Sequence, residues 1–229
     1  MGNNEANEGV RVSGDRGVKD RGVRAEETRQ RLLACAERLF AEQGLDAVSN
    51  RQISEAAGQA NNYAVGYHFG SRTELLRTLL RMHVERLDVI RQRNIDDIGT
   101  STELRDWLRC LIAPQLEYIG TGPGVSYFGQ FWLAMATNPT TAPVLYTEAA
   151  RSESLAVTLA GMYAALPPLA EETVRVRNLM TQNILITTFA DFERRRNELG
   201  ASDSTSWQGF SDAVVDGLVG LWSAPVTTG

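Results

Sequence analysis

The chain has 229 residues, a net charge of −5, 43% hydrophobic residues and 22% charged residues, which is ordinary for a soluble globular protein. No apolar run approaches the roughly 20 residues that span a bilayer, and no apolar core of a secretion signal follows the N-terminal charges, so we expect a cytoplasmic protein without membrane contact. Its two cysteines, Cys35 and Cys110, form no disulfide framework and lack metal-ligand spacing, so no metal or cofactor is predicted.

Residues 1–24 are poor in large apolar side chains and rich in glycine, asparagine and charge. Such a segment buries too little surface to offset its chain entropy, so a flexible arm is predicted. Seven basic and four acidic side chains lie within residues 10–31, whereas residues 73–229 carry the whole net charge of −5. A locally basic front on an acidic body indicates that the front meets an anion.

Three helices are predicted in residues 25–72. An apolar stripe predicts the first helix, Glu26 to Gln43, and Gly44 ends it. A capping box at Ser49 to Gln52 opens the second helix, and a third, short helix covers about residues 62–69. Two short helices joined by a glycine-bearing turn, after a supporting helix, predict a helix-turn-helix domain.

Residues 73–229 are also predicted to be helical throughout. A second capping box, Ser71 to Glu74, starts a long helix, and no stretch shows the period-two alternation of a strand. The later helices are predicted at about residues 102–119, 125–137, 143–166, 169–199 and 206–222. The predicted fold is therefore all-α, with an N-terminal three-helix helix-turn-helix domain followed by a larger helical domain.

The turn and third helix form a polar corner without an acid. Ile53 and Val65 are predicted to face inward and hold the two short helices together. The outward positions are Asn61, Asn62, Tyr63, Gly66 and Tyr67. Amides can pair with base edges or phosphates and a tyrosine hydroxyl can donate to phosphate, whereas acids would repel the DNA backbone. The pattern predicts a DNA-reading surface.

Residues 28–76, "TRQRLLACAERLFAEQGLDAVSNRQISEAAGQANNYAVGYHFGSRTELL", resemble the DNA-binding domain of the TetR family of bacterial one-component transcription regulators. The features "AERLFAEQG", "IxxAAG" and "YHFGS" occur in order. The sequence departs from the commonest family pattern in the turn, which has one residue more, with Gln59-Ala60 where valine-serine is common. The segment is similar to a subgroup that has "NN" and an extra turn residue.

The resemblance implies a set of DNA contacts across the second and third helices. The residues that it implies are Ser49, Arg51, Gln59, Asn61, Asn62, Tyr63, Gly66, Tyr67, His68 and Arg72. Ser49 also has a helix-capping role. Arg72 lies where the family usually places a phosphate-binding lysine or arginine. Phe69 is expected to pack in a hinge between the domains. For His68, backbone contact and packing are both open.

The predicted arm offers further contacts before the first helix. Its basic residues are Arg11, Arg16, Lys19, Arg21 and Arg24. They either enter a minor groove, as arms of other DNA-binding folds do, or form a solvated tail without a role. If the arm contacts phosphate, deletion of residues 1–22 should flatten the salt dependence of DNA binding, and an unchanged slope would exclude the contact.

The last two predicted helices carry apolar stripes, and the resemblance implies that two copies pair them as a four-helix interface. The alternative is that both stripes are internal core. The interface candidates are Met180, Ile184, Thr187, Phe210, Val214, Gly217, Leu218 and Leu221.

The middle helices are rich in aromatic residues, and the resemblance implies that they enclose an effector pocket. Aromatic walls with few charges suit a mainly apolar, ring-containing ligand, and the alternative is again core. The pocket candidates are Trp107, Tyr118, Tyr127, Phe128, Phe131, Trp132, Met135 and Tyr146.

These patterns and the family resemblance together imply a ligand-responsive regulator that binds a palindromic operator as a homodimer and is released by a small, mainly apolar effector. The resemblance favours a repressor over an activator. One alternative is an all-helical adaptor whose corner binds protein. The other alternative is an all-α enzyme. The chain has only two histidines and no nucleophile beside a base, which is evidence against an enzyme. His83 is expected on the outside or boundary of its helix.

Overall fold

The structure, a computed structural model, describes residues 13–199 and 206–226. This part of the chain forms ten α-helices and no strand, so the all-α prediction is confirmed. The helices are α1 (Ser13–Gln43), α2 (Asn50–Ala56), α3 (Ala64–Phe69), α4 (Arg72–Ile98), α5 (Leu104–Thr121), α6 (Phe128–Thr137), α7 (Ala142–Ala149), α8 (Glu153–Ala164), α9 (Glu171–Leu199) and α10 (Trp207–Ser223).

The first helix is longer than predicted. It begins at Ser13 rather than at Glu26, so residues 13–24, predicted as part of a flexible arm, are helical. Low apolar content limits what a segment can bury, but an existing helix extends at a much lower cost than a new one nucleates. The rest of the predicted arm, residues 1–12, lies outside the described residues.

The N-terminal helices α1 to α4 surround one apolar core. Ile53 and Val65, predicted to hold α2 against α3, are both fully buried, and Phe40 of α1 is buried beside them. The same core includes Phe131 and Met135 of α6. The helix-turn-helix unit is therefore packed directly on the body of the protein.

The turn between α2 and α3 is held by a buried hydroxyl. Ser54 is fully buried, and its Oγ donates to the Asn50 carbonyl oxygen at 3.0 Å and lies 3.5 Å from the Asn62 carbonyl oxygen. Ala57 is buried at the end of α2, whereas Ala56 is exposed. Gly58 has a φ of +69°, a conformation that a side chain would strain.

The capping predictions differ in outcome. At α2, the Gln52 N–H donates to Ser49 Oγ at 3.2 Å and the Ser49 N–H donates to Gln52 Oε1 at 2.8 Å, so this box is confirmed. At α4, Ser71 Oγ accepts from the Glu74 N–H at 3.1 Å, but the Glu74 carboxylate accepts from Arg81 at 3.0 Å. An ion pair with the next turns of α4 replaces the second half of that box.

The body is organised around α5, which packs against α4, α8, α9 and α10. The predicted helix over residues 143–166 is wrong, because the structure divides it into α7 and α8. Ser152 caps α8 by accepting from the Leu155 N–H at 3.0 Å, and it also donates to the Asp88 carboxylate of α4. This contact between distant segments places the break, which local periodicity does not reveal.

A buried carboxylate fixes the start of α6. Glu193 of α9 has no exposed surface, and its oxygens accept from Ser126 Oγ at 2.6 Å and from the Gly129 and Gln130 N–H groups at 2.8 Å each. A Cβ on Gly129 would lie 2.9 Å from the Phe189 carbonyl oxygen. Helices α6 and α9 are therefore in close contact. The backbone of α6 at Gly129 lies against the backbone of α9 at Phe189, and the Glu193 carboxylate caps the start of α6.

Glu193→Leu should destabilise the protein by about 3 kcal/mol, because each buried donor left unpaired costs about 1–3 kcal/mol. Urea unfolding followed by circular dichroism measures the change. Glu198→Leu, at an exposed position of the same helix, is the matched control and should change stability by no more than about 0.5 kcal/mol. Equal effects of the two substitutions would contradict the capping role.

The stability should also depend on pH through this group. Burial raises the pKa of Glu193 from its ordinary value of 4.5, so the folded state binds the proton more tightly than the unfolded state. The contribution of this pKa shift to the free energy of unfolding is fully present below about pH 4.5. It is lost as the pH rises through the raised pKa of the folded state. Unfolding at a series of pH values should show this slope in the natural protein and a smaller slope in Glu193→Gln.

Candidate nucleic-acid interface and ligand cavity

The short helix α3 presents a polar, aromatic surface to solvent. Tyr63 and Tyr67 are 82% and 83% exposed, and Asn61, Asn62 and Gly66 are exposed beside them. The opposite side of α3 is buried in the N-terminal core. The structure thus brings together the five outward residues that the sequence predicted, on a surface without an acidic residue of its own segment.

The first turn of α3 separates the roles of its two asparagines. Asn61 Oδ1 accepts from the Tyr63 N–H at 2.9 Å, and the Asn61 carbonyl oxygen accepts from the Ala64 N–H at 3.1 Å. Within residues 13–199 and 206–226, no hydrogen bond engages the side-chain amide of Asn62, whose backbone carbonyl alone meets Ser54. Asn61 therefore orders the turn, and Asn62 offers a free donor and acceptor pair.

Three predicted contact residues lie on α2 and the turn after it. Ser49 and Arg51 are exposed at the start of α2, and Arg51 Nε donates to Glu55 Oε1 at 2.7 Å. This hydrogen bond raises the pKa of Arg51. Gln59 Nε2 donates to the Ala57 carbonyl oxygen at 3.3 Å. Each of these polar groups has a partner in its own segment, and their DNA contacts stay predictions.

The hinge after α3 is packed. Phe69 is 7% exposed, as expected, with the Arg29 guanidinium 5.4 Å from its ring centroid. His68 is half-buried, and its ring meets that of Tyr67 edge-on at 5.0 Å. These ring contacts lie at the C-terminal end of α3.

Arg72, implied as a phosphate contact, faces the interior of the domain. Its Nη2 donates to the Leu45 carbonyl oxygen, and its guanidinium lies 4.9 Å from the Phe40 ring centroid. Burial lowers the pKa of Arg72. These contacts hold α4 on α1, and a contact with phosphate stays a prediction.

The eight predicted pocket residues do not form one pocket. Trp107 donates from Nε1 to the Ser101 carbonyl oxygen at 3.0 Å and lies against α8. Phe131 and Met135 are fully buried in the N-terminal core, and Trp132 packs between the two cores. Tyr146 is 39% exposed on α7. Aromatic content alone does not indicate which residues of a helix face one common space.

The other three residues line a cavity of about 470 Å³ between α1, α4, the end of α5 and the loop that precedes α6. They are Tyr118, Tyr127 and Phe128. The cavity also has charged lining residues, Glu37, Arg38 and Arg86. The sequence did not predict them, because they lie on helices with an apolar stripe and belong to no motif.

A buried histidine connects this cavity to α1. His83, expected at the boundary of its helix, is 1% exposed, so that expectation is wrong. Its Nδ1 lies 3.2 Å from the Tyr118 hydroxyl, which accepts from Arg86 Nη1 at 2.9 Å. Its Nε2 lies 3.1 Å from Glu37 Oε1, but not in line for a hydrogen bond. Burial raises the pKa of Tyr118, which keeps its hydroxyl proton available to Nδ1.

Helix α9 exposes an apolar stripe, as predicted. Leu179, Met180 and Ile184 are 54%, 45% and 39% exposed, and Thr187 is exposed on the same face. The free side chains follow the helical spacing of one face. This stripe is available to a partner and is not core of its own subunit.

Helix α10 divides its apolar residues between two faces. Leu218, predicted at the dimer interface, is 1% exposed and packs in the core of its own chain, because α10 lies along α5. Gly217 is exposed with nothing within 4 Å of an added Cβ. The other interface candidates of α10, all half-buried, are Phe210, Val214 and Leu221.

A buried arginine joins the ends of the two helices. Arg177 of α9 donates to the Trp222 and Ala224 carbonyl oxygens at 2.6 and 2.5 Å, and Trp222 Nε1 donates to Thr181 Oγ1 at 3.0 Å. These bonds satisfy carbonyl groups at the C-terminus of α10. They fix the angle at which α9 and α10 present their exposed faces.

A capped helix-turn-helix unit with an exposed amide-and-tyrosine helix, packed on an all-helical body, defines a DNA-binding transcription regulator of the two-domain kind. Among the described residues, no helix is long and apolar enough to cross a membrane, and no group of three metal-ligating side chains could hold a metal ion.

Comparisons with known proteins identify the family. The model described as "Bacterial regulatory proteins, tetR family" matches residues 32–79, and "Tetracyclin repressor-like, C-terminal domain" matches residues 109–220. The chain belongs to the TetR family of transcriptional regulators, which are not enzymes. The match to the C-terminal domain adds the body to a resemblance that the sequence motifs gave only for the N-terminal third.

Two solved structures are similar to the chain. RolR (NCGL1110) in complex with the ligand resorcinol is 18% identical, with a TM-score of 0.44, and the match covers 90% of this chain and 98% of that one. A putative TetR-family transcriptional regulator from Rhodococcus sp. is 19% identical, with a TM-score of 0.41 and coverage of 86% and 100%. No curated protein sequence matches the chain.

Proposed function

We propose that this TetR-family regulator is a repressor that binds a palindromic operator as a homodimer and is released by a small, mainly apolar effector. The observation that carries the proposal is the surface of α3, where Tyr63 and Tyr67 are more than four-fifths exposed and the free side-chain amide of Asn62 precedes them. Exposed aromatic side chains on a short helix whose opposite face is buried indicate a recognition surface.

The recognition helix reads DNA through distinct groups. Asn62 is the residue proposed to pair with a base edge in the major groove, because its amide is free to form two hydrogen bonds. Tyr63 and Tyr67 donate to phosphates, and exposed Gly66 allows the backbone of α3 to approach the duplex. Arg51 adds charge at the start of α2 once its pairing with Glu55 is exchanged for phosphate.

A single α3 offers too few contacts for operator specificity, so two subunits are needed. The exposed stripe of α9 and the part of α10 around exposed Gly217 supply the same surface on each subunit, as a twofold axis requires. The pair presents its two recognition helices to successive major grooves about 34–36 Å apart. The proposed operator is accordingly palindromic.

Release follows from linkage. An effector that binds better to the form with weak DNA affinity lowers operator affinity by the same free energy by which the operator lowers effector affinity. Because the N-terminal core includes residues of α6, a change in the body reaches α1 without a flexible linker. The basic residues of the predicted arm are proposed to add phosphate contacts, and they are Arg11, Arg16, Lys19, Arg21 and Arg24.

An electrophoretic shift with the DNA that flanks the gene of this protein tests the proposal, with two salt concentrations in parallel. A repressor should shift a palindromic fragment with nanomolar to subnanomolar affinity at physiological salt, and less well at the higher salt concentration. No shift with any such fragment at low salt would favour the adaptor and overturn the proposal.

A further inference from the structure

The cavity of about 470 Å³ lies on the boundary between the DNA-reading unit and the body. Helix α1 contributes Glu37 and Arg38, α4 contributes Arg86, and α5 contributes Tyr118. The rest of the wall is Ala34 and Cys35 of α1, the loop over residues 122–127 and the first residue of α6, Phe128. A molecule in this cavity would therefore contact both α1, which belongs to the reading unit, and the body that carries α9.

The charges of the cavity favour an anion. Glu37 is 15% exposed and faces buried His83, and Arg38 pairs with Glu42 at 3.2 Å. Arg86 is exposed, and among the described residues it forms no ion pair with a carboxylate, only a hydrogen bond to the neutral Tyr118 hydroxyl. The guanidinium of Arg86 is thus the cation that a ligand carboxylate can pair with at two donors.

The remaining wall favours an aromatic ring. Tyr118 and Phe128 meet edge-on with centroids 5.3 Å apart, and Trp132 packs behind Phe128 at 5.2 Å. Tyr127, Val125 and Pro123 complete the apolar side. The volume falls within the range of about 300–1,000 Å³ that small-molecule sites occupy.

We infer that this cavity binds a small aromatic carboxylate, with its carboxylate paired to Arg86 and its ring against Tyr118 and Phe128. The inference rests on the proposed function, since it gives the chemical class of the effector. Among the residues that line the cavity, Glu37 alone carries a carboxylate, and this carboxylate lies 3.1 Å from His83 Nε2. The ligand is accordingly a monoanion with an apolar ring, because a dianion would meet that carboxylate.

The hydrogen bonds around the cavity give occupancy a route to α1. Arg86 donates to Tyr118, whose hydroxyl contacts His83, and the other nitrogen of His83 lies 3.1 Å from Glu37 without an aligned hydrogen bond. A carboxylate that takes the donors of Arg86 frees the Tyr118 hydroxyl. The His83–Glu37 contact then changes, and with it the position of α1 under the recognition helix.

Isothermal titration of the full chain with benzoate, benzamide and acetate tests the ligand class. Benzoate should bind, and benzamide and acetate should bind at least about tenfold more weakly, because each lacks one of the two features that the wall recognises. Arg86→Met, which keeps the aliphatic stem, should weaken benzoate about tenfold or more. Arg93→Met, two turns further along α4 and paired with Glu117, should leave benzoate binding unchanged.

Equal affinity for benzoate and benzamide, or an Arg86→Met protein that binds benzoate as well as the natural protein, would overturn the inference. Tyr118→Phe tests the route separately. It should still bind benzoate within about threefold, but benzoate should release less operator DNA from this variant than from the natural protein. Release by benzoate at the natural level would remove the Tyr118–His83 route.

Shift experiments in the same preparations distinguish this inference from the proposed function. A protein that shifts its operator but binds no benzoate would refute the inference and leave the proposed repressor intact. A protein that binds benzoate through Arg86 but shifts no DNA would support the cavity and refute the repressor.

Discussion

Ile184→Asp should convert the proposed dimer into monomers and lower operator affinity by more than about a hundredfold. Ile184 is 39% exposed at the centre of the α9 stripe, next to Met180 at 45%. A carboxylate placed between two apolar stripes would lose its hydration without a partner, which costs several kcal/mol. A monomer would then contact one half-site, without the free energy that the second half-site adds.

The measurement is the molar mass in solution by light scattering, followed by an operator shift at one salt concentration. Val89→Asp is the matched control, because Val89 is also a β-branched side chain, 73% exposed, but lies on α4. It should remain dimeric and bind the operator as the natural protein does. An Ile184→Asp protein that stays dimeric would show that the stripe of α9 is not the interface.

The fold of the N-terminal unit was predictable because local signals and tertiary packing agree there. Ser49 and Gln52 form the reciprocal cap that their spacing indicates, and Ile53 and Val65 occupy the buried face that the helical period assigns. When capping, turn chemistry and apolar period favour the same arrangement, a short sequence specifies it. The exposed face of α3 follows as the remainder of the same pattern.

The body was predictable only at the level of its helices. A stripe of apolar residues identifies a buried face, but it does not identify the neighbour that buries it. Leu218 and Ile184 were both predicted at the interface because each lies on an apolar stripe. In the structure Leu218 is buried against α5, whereas Ile184 is 39% exposed. The break before Ser152 likewise depends on Asp88, 64 positions earlier in the chain.

The cavity was the hardest part to predict, because it forms from residues that each look ordinary in sequence. Arg86 and Glu37 lie among other charged residues of amphipathic helices, and His83 is one polar residue within an apolar stripe. The last of these was a usable signal, since a histidine among core positions needs buried partners. Those partners, Tyr118 and Glu37, come from two other helices.

Asn62→Ala should lower operator affinity about tenfold to a hundredfold and relax the choice of base at one position in each half-site. A good side-chain contact with a base edge contributes about 1–3 kcal/mol of discrimination. Asn62 is exposed, and within the described residues only its backbone carbonyl oxygen accepts a hydrogen bond. The free energy of unfolding should therefore change by no more than about 0.5 kcal/mol. Binding to a library of operator variants measures both affinity and specificity.

Tyr67→Ala provides the comparison within the same helix. Its hydroxyl is assigned to phosphate, so its loss should weaken every sequence alike. Because a tyrosine hydroxyl carries no charge and releases no counterion, the salt slope of binding should stay unchanged. Tyr146→Ala, an exposed tyrosine on α7, controls for loss of an aromatic side chain and should leave DNA binding unchanged. If Asn62→Ala and Tyr67→Ala weakened all operator variants equally, Asn62 would be a backbone contact, and base reading would have to come from Tyr63 or from the start of α2.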